Sequence, residues 1–182
     1  DDFGKDGLEG MEQAAADHAG IDVVAKEAFA RGAKDFSSQV VKCKESGADA
    51  LLISCATSQA AQIIKEAEKL AWKPQFMVLS GAADNKLIEL AGSATEGMMA
   101  ATNVVFPGVT DTPEVVEARK VITKYYPDQP VNIPAIDGYA VAMVTVEALR
   151  LAGKEPTREK IVQALEGMRE YETGIRPHVT FG

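Results

Sequence analysis

The run Ala50-Leu51-Leu52-Ile53, closed by Ser54, places the tightest limit on what this chain can fold into. It is apolar without alternation, which suits a parallel strand covered on both faces and set in the middle of a sheet. Parallel neighbours cannot be joined by a hairpin; they need crossover segments of a dozen or more residues, usually helices. The flanking sequence supplies such segments. Asp35 can cap a helix to about residue 46, with Phe36, Val40 and Val41 inward and Gly47 as terminator. Thr57 or Ser58 caps the next, where Ile63, Ile64, Ala67 and Leu70 form the buried stripe before Lys73-Pro74. Residues 75–79 read as a second buried strand, Ser80-Gly81 as its exit turn, Asp84 as the cap of a short helix to 90, and 98–105 as a further strand.

Upstream, residues 4–18 read as a helix with Leu8, Met11 and Ala15 on one face and Gly20 as its stop, followed by a strand over 21–28. Asp1 to Gly10 looks like the turn after a strand and the start of a helix, so the chain is expected to begin inside a domain. After Pro107-Gly108 the pattern changes to helices over 113–126, 136–152 and 157–168, then a short final strand ending Val179-Thr180-Phe181-Gly182. The expected class is α/β with a doubly wound parallel sheet and a boundary near Phe106-Pro107.

Composition narrows the function. A 182-residue chain with 46% hydrophobic content can bury a substantial core. A formal charge of −8 argues against nucleic acid and anionic membranes, which require clustered Lys and Arg. The apolar stretches fall far short of the roughly 20 residues that span a bilayer. The two cysteines, Cys43 and Cys55, belong at opposite edges of the sheet and read as buried small hydrophobes rather than a disulfide. With only two histidines, His18 and His178, no metal site or cofactor is expected. Cys55 as a nucleophile would need a base and an orienting carboxylate that the sequence does not identify. Gly4, Gly7 and Gly10 are spaced GxxGxxG, not the dinucleotide-binding GxGxxG.

Several short motifs in sequence order carry a resemblance: Asp2-Phe3-Gly4-Lys5 with Gly7, Gly32-Ala33-Lys34-Asp35-Phe36, Gly47-Ala48-Asp49-Ala50, Thr95-Glu96-Gly97-Met98, Asn132 to Tyr139, and Thr173-Gly174 with Val179-Thr180-Phe181-Gly182. Together they resemble the type I periplasmic solute-binding proteins of the branched-chain amino acid (Leu/Ile/Val) ABC transporter class, in their C-terminal portion. The resemblance implies two lobes with sheets in the flavodoxin-like order and a small-molecule ligand clamped by hinge closure. Residues 1–106 would be the C-terminal lobe without its first strand, 107–174 the returning helical part of the N-terminal lobe, and 175–182 a strand crossing back. The absent strand would lie between 21–28 and 50–54, filled by another segment or chain of the same protein.

Ligands of open α/β sheets bind beyond the carboxyl ends of the strands. The exits here are Asp2-Phe3, Cys55-Ala56-Thr57-Ser58 and Ser80-Gly81-Ala82. The resemblance assigns Phe3 the place of an aromatic just before the first helix, and Ala56-Thr57 and Ser80 the places where amino-acid-binding members often carry an aromatic and a carboxylate; Gly81, in the third exit, is a ligand-binding candidate beside them. Losing the acid disfavours a ligand ammonium and favours an uncharged or anionic solute such as a carboxylate, unless Asp84 supplies the acid. Tyr139 is a further candidate. The implied function is a non-enzymatic extracytoplasmic, periplasmic receptor that works with the membrane subunits of an ABC importer. A ligand-sensing domain of a signalling protein and an α/β enzyme are the alternatives.

Overall fold

The computed structural model describes residues 2–109 and 111–181, so the opening and closing motifs are described without Asp1 and Gly182. Its elements are α1 (Asp2–Asp17), α2 (Ser37–Glu45), β1 (Ala50–Ile53), α3 (Thr57–Lys69), β2 (Gln75–Val78), α4 (Asn85–Ala91), a 3-10 turn (Gly92–Thr95), β3 (Met99–Ala100), α5 (Pro113–Tyr125), α6 (Ile133–Ala152) and α7 (Arg158–Glu166). The chain divides into two compact units, Asp1–Thr102 and Asn103–Gly182.

In the first unit β1, β2 and β3 lie side by side in that order, all parallel, with Ala50 opposite Gln75, Ile53 opposite Val78 and Met77 opposite Met99. The crossovers α3 and α4 follow from the sequence pattern. Ala60, Ala61, Ile63, Ile64 and Ala67 make the buried stripe of α3. Asp84 caps α4, its side chain accepting from the Lys86 N–H at 3.0 Å. Phe36, Val40, Ile64, Val78 and Leu87 are fully buried in this unit, and each such side chain contributes about 1.5–3 kcal/mol of hydrophobic stabilisation.

The cap of α2 differs by one position from expectation. Phe36 occupies the cap site and offers no side-chain bond, while Asp35 Oδ1 accepts from the N–H of Ser37 at 2.9 Å and its hydroxyl at 2.7 Å. Those two bonds hold the Asp35 carboxyl below its ordinary pKa. Gly47 follows with φ +78°, the left-handed stop that the sequence announced. Helix α3 ends at Lys69, before the expected Lys73-Pro74, because Ala71 turns left-handed at φ +49°. The Lys44 ammonium reaches the Leu70 carbonyl at 2.8 Å and satisfies one of the acceptors released there.

Four expectations for this unit need correction. Residues 21–28 form no strand; they are held by side-chain pairs, Lys26 with Glu12 and Lys42 with Glu27, and the next residue, Phe29, packs edge-on against Phe36 at 4.9 Å. A strand exists through its ladder, and among the described residues this segment has no ladder partner, β1 included. For the same reason β1 is paired on one side only, and Ala50 is exposed where cover on both faces was expected. The strand expected over 98–105 shrinks to Met99–Ala100, since only those residues find register with β2. Helix α1 buries no residue, and its expected inward face leaves Leu8 exposed.

The second unit holds α5, α6 and α7. Thr112 caps α5, accepting from Val115 N–H at 3.3 Å while its own hydroxyl donates to the Gly174 carbonyl at 3.1 Å. Helix α6 starts at Ile133 rather than 136, because the Asn132 side chain accepts from Ala135 N–H at 3.1 Å and Pro134 suits a first turn. It buries Ile136, Ala140, Val144 and Ala148 at four-residue steps. Val144, Ala148 and Met168 form a core with Ile161, Leu165, Tyr171 and Val179 packed on it. Helix α7 is capped by Thr157 and spans Arg158–Glu166, less than the expected 157–168. The expected final strand reduces to one antiparallel bridge between Tyr171 and Val179. Among the described residues no helix is long and apolar enough to cross a membrane.

Candidate functional site

The carboxyl ends of β1 and β2 lead into the two turns that the sequence marked. After β1 the chain passes Ser54 and Cys55 and enters α3 with Ala56 as its cap, extended at φ −74° and ψ 157° and without a side-chain bond to the first turn. Thr57 and Ser58, expected as caps, are instead the first residues of the helix. The Thr57 hydroxyl turns outward and donates to the Gly81 carbonyl at 3.4 Å, linking the two exits. The uncapped first turn of α3 leaves backbone N–H groups and the positive end of the helix dipole facing this rim.

Phe3 joins the same rim. It lies within the first turn of α1 rather than just before it, because Asp2 sits favourably at the positive helix end and the helix opens two residues sooner than the expected start at residue 4. Ser54 Oγ donates to the Phe3 carbonyl at 3.2 Å. The phenyl ring lies over Gly81: a Cβ built on that glycine would stand 3.0 Å from Phe3 Cζ. Yet Phe3 stays 45% exposed, so one face of the ring is available. Ala56, Ser80 and Gly81 are exposed beside it. Of the residues singled out from sequence, Gly81 meets both Phe3, through its ring, and Thr57, through its hydroxyl. Tyr139 is half-buried on α6 in the second unit.

Asp84 is not a free acid at this rim, since its carboxylate is engaged with the Lys86 N–H. The exit turns 54–58 and 79–83 carry no carboxylate. Cys55 is buried, and burial pushes its thiol up to about 11, so it is protonated and unreactive at neutral pH. His178 has the orienting carboxylates that the sequence did not reveal, Glu170 at 3.0 Å and Glu172 at 3.2 Å, but they belong to the second unit's tail. Among the described residues no group of His, Cys, Asp or Glu could hold a metal ion.

Two contributors were missed in the sequence. Ser54 looked like the polar end of a strand, although a hydroxyl closing an apolar run is a recognisable cue. Gly7 looked like part of a helix start; the cue was a glycine inside a helix, costing about 1 kcal/mol relative to alanine without an evident local reason.

The chain belongs to the periplasmic binding protein family: a family model of that description matches residues 1–182. Among curated relatives, the leucine-, isoleucine-, valine-, threonine- and alanine-binding protein of Pseudomonas aeruginosa is 25% identical over 147 residues, covering 81% of this chain and 38% of the relative. The Leu/Ile/Val-binding protein of Citrobacter freundii is 29% identical over 115 residues, covering 62% of this chain and 31% of the relative. Among solved structures, a branched chain amino acid ABC transporter protein of Thermus thermophilus with bound valine superposes with a TM-score of 0.87 at 24% identity, covering 100% of this chain and 50% of that one. The fatty acid ABC transporter substrate-binding protein of Thermomonospora curvata gives 0.88 at 26% identity, covering 100% and 47%. The fold is therefore that of the type I periplasmic binding proteins, and the chain spans about half the length of these solved relatives.

Proposed function

We propose that the protein carrying this chain is an extracytoplasmic, periplasmic solute receptor that delivers a small molecule to the membrane subunits of an ABC importer, and that it has no catalytic role. Residues 1–106 are assigned to its C-terminal lobe, 107–174 to the returning part of its N-terminal lobe, and 175–182 to the segment that crosses back. The observation that carries the reading is the rim itself: an aromatic ring, a hydroxyl and a helix N-terminus gathered at the exits of two parallel strands, in a chain that matches the family along its whole length.

The ligand class follows from charge. An α-amino acid brings an ammonium that needs an anionic partner when desolvated, and the turns that leave β1 and β2 offer none. The uncapped turn of α3 suits a carboxylate, to which the Thr57 hydroxyl can donate by releasing its long 3.4 Å bond to the Gly81 carbonyl, and the exposed part of Phe3 suits an apolar body. A relative that binds fatty acids is compatible with such a ligand. Calorimetry on the intact protein with leucine, valine and a series of straight-chain and aromatic carboxylates tests the assignment. Carboxylate binding with weak or absent amino-acid binding supports it, whereas tight leucine or valine binding refutes it. Tyr139→Phe, assayed alongside, tests whether that hydroxyl contributes.

A further inference from the structure

Gly7 and Gly81 are glycines for reasons of space rather than backbone conformation. Neither has a positive φ, yet a side chain on either would collide with a neighbour. A Cβ on Gly7 would lie 2.8 Å from Ser54 Cβ and 3.1 Å from Leu79 Cδ1, so α1 approaches the ends of β1 and β2 this closely only because residue 7 lacks one. A Cβ on Gly81 would lie 3.0 Å from Phe3 Cζ and 3.4 Å from the Cys55 carbonyl oxygen. The Cys55 carbonyl is fixed by the backbone, but Phe3 is partly exposed and can yield. Any side chain at 81 therefore moves the ring outward.

We propose that Gly81 is a specificity-determining residue of this rim that acts through Phe3. Glycine at 81 lets the ring settle onto the β2 exit, and Ser54 holds the Phe3 backbone there through its hydroxyl. The exposed part of the ring then stands at the same exit turn that Thr57 contacts, and the ligand that fits is a carboxylate whose aliphatic or aromatic body lies against the ring. The proposal rests on the solute-receptor reading and deepens it. A side chain at 81 pushes the ring outward by a few tenths of an ångström, so the ligand's apolar contact is disturbed although Phe3 itself is unchanged.

The test is a double-mutant cycle of Gly81→Ala and Phe3→Ala in the intact protein, with hexanoate and benzoate as calorimetric probes and ring-proton NOEs from Phe3 to residue 81 as a ligand-independent readout. The expected result is that Gly81→Ala weakens the NOEs from the ring to the residue-81 α-proton and lowers affinity for the better probe about tenfold, as overpacking of a close-fitting contact does. In the Phe3→Ala background, Gly81→Ala changes affinity less than about twofold. Equal affinities of native and Gly81→Ala proteins, or the same loss with and without Phe3, overturn the proposal. If neither probe binds the native protein, the carboxylate assignment fails and with it the specificity role, while the NOEs separately report whether residue 81 positions the ring. Unchanged NOEs in Gly81→Ala also overturn it.

Discussion

Nδ1 of His178 stands 3.0 Å from Oε2 of Glu170, and its other ring nitrogen stands 3.2 Å from Glu172 Oε1. A neutral imidazole has one N–H and can donate to only one of these carboxylates; the protonated ring can donate to both. The hydrogen bonds from Glu170 and then Glu172 accordingly raise the His178 pKa above 6.5, and the bonds from His178 and Thr180 lower that of Glu170 below 4.5. Because the His178 pKa is raised on folding, its contribution is fully present below the unfolded value and fades as pH rises through the higher folded value. The Glu170 contribution is present above its unfolded value and fades as pH falls through the lower folded one.

The tail around Val179 should therefore be best held between about pH 4.5 and 6.5. Amide exchange at Val179 and Tyr171, whose mutual N–H···O bonds form the bridge, is expected to quicken above that window beyond the intrinsic pH effect. His178→Asn should remove the excess. Exchange measured by NMR across the range decides, and identical profiles for the two proteins would contradict the expectation.

Thr112→Ala should destabilise the second unit more than Thr157→Ala. Both side chains cap helices, but Thr112 also donates to the Gly174 carbonyl, so its loss combines a cap with a tertiary hydrogen bond. Chemical denaturation should give about 1.5–2.5 kcal/mol for Thr112→Ala against about 1 kcal/mol for Thr157→Ala.

Asp84→Asn should leave ligand affinity within about twofold, because an asparagine side chain also caps α4 and the carboxylate is already engaged by Lys86 N–H. Asp84→Ala should lower stability by about 1 kcal/mol with the same small effect on binding. A large affinity loss in Asp84→Asn, measured by calorimetry, would make Asp84 a ligand-contacting acid after all.

Cys43 and Cys55 should resist alkylation in the folded protein. Burial raises both thiols, Cys55 to about 11, and the thiolate is the reactive form. Iodoacetamide labelling at pH 8 followed by mass spectrometry should modify neither until denaturant is added. Prompt labelling of Cys55 would mean that the β1 exit opens readily.

The parallel arrangement was legible because it rests on local signals: the apolar runs at β1 and β2, the stripe of α3, and the caps at Asp84 and Thr157 all lie within a few residues of what they determine. What failed were features that depend on distant partners. Residues 21–28 have strand composition, but a strand needs a neighbour to bond with, and composition does not name one. The short β3 was overread because register with β2, and not the apolar character of 98–105, sets its length. At the rim, the exit turns could be placed from strand ends alone. The stacking of Phe3 on Gly81 and the Ser54 bond to the Phe3 carbonyl join residues about 50 to 80 positions apart, and no periodicity encodes such a meeting.

Since β1, β2 and β3 all run one way, every turn at their carboxyl ends opens on the same side, apart from the ladder bonds that stabilise them. Substitutions at positions 54–58 and 80–82 can retune chemical preference while the registers of Ala50 with Gln75 and Met77 with Met99 stay intact. Such a layout is evolvable: descendants of one scaffold can diverge in what they capture without relearning how to fold.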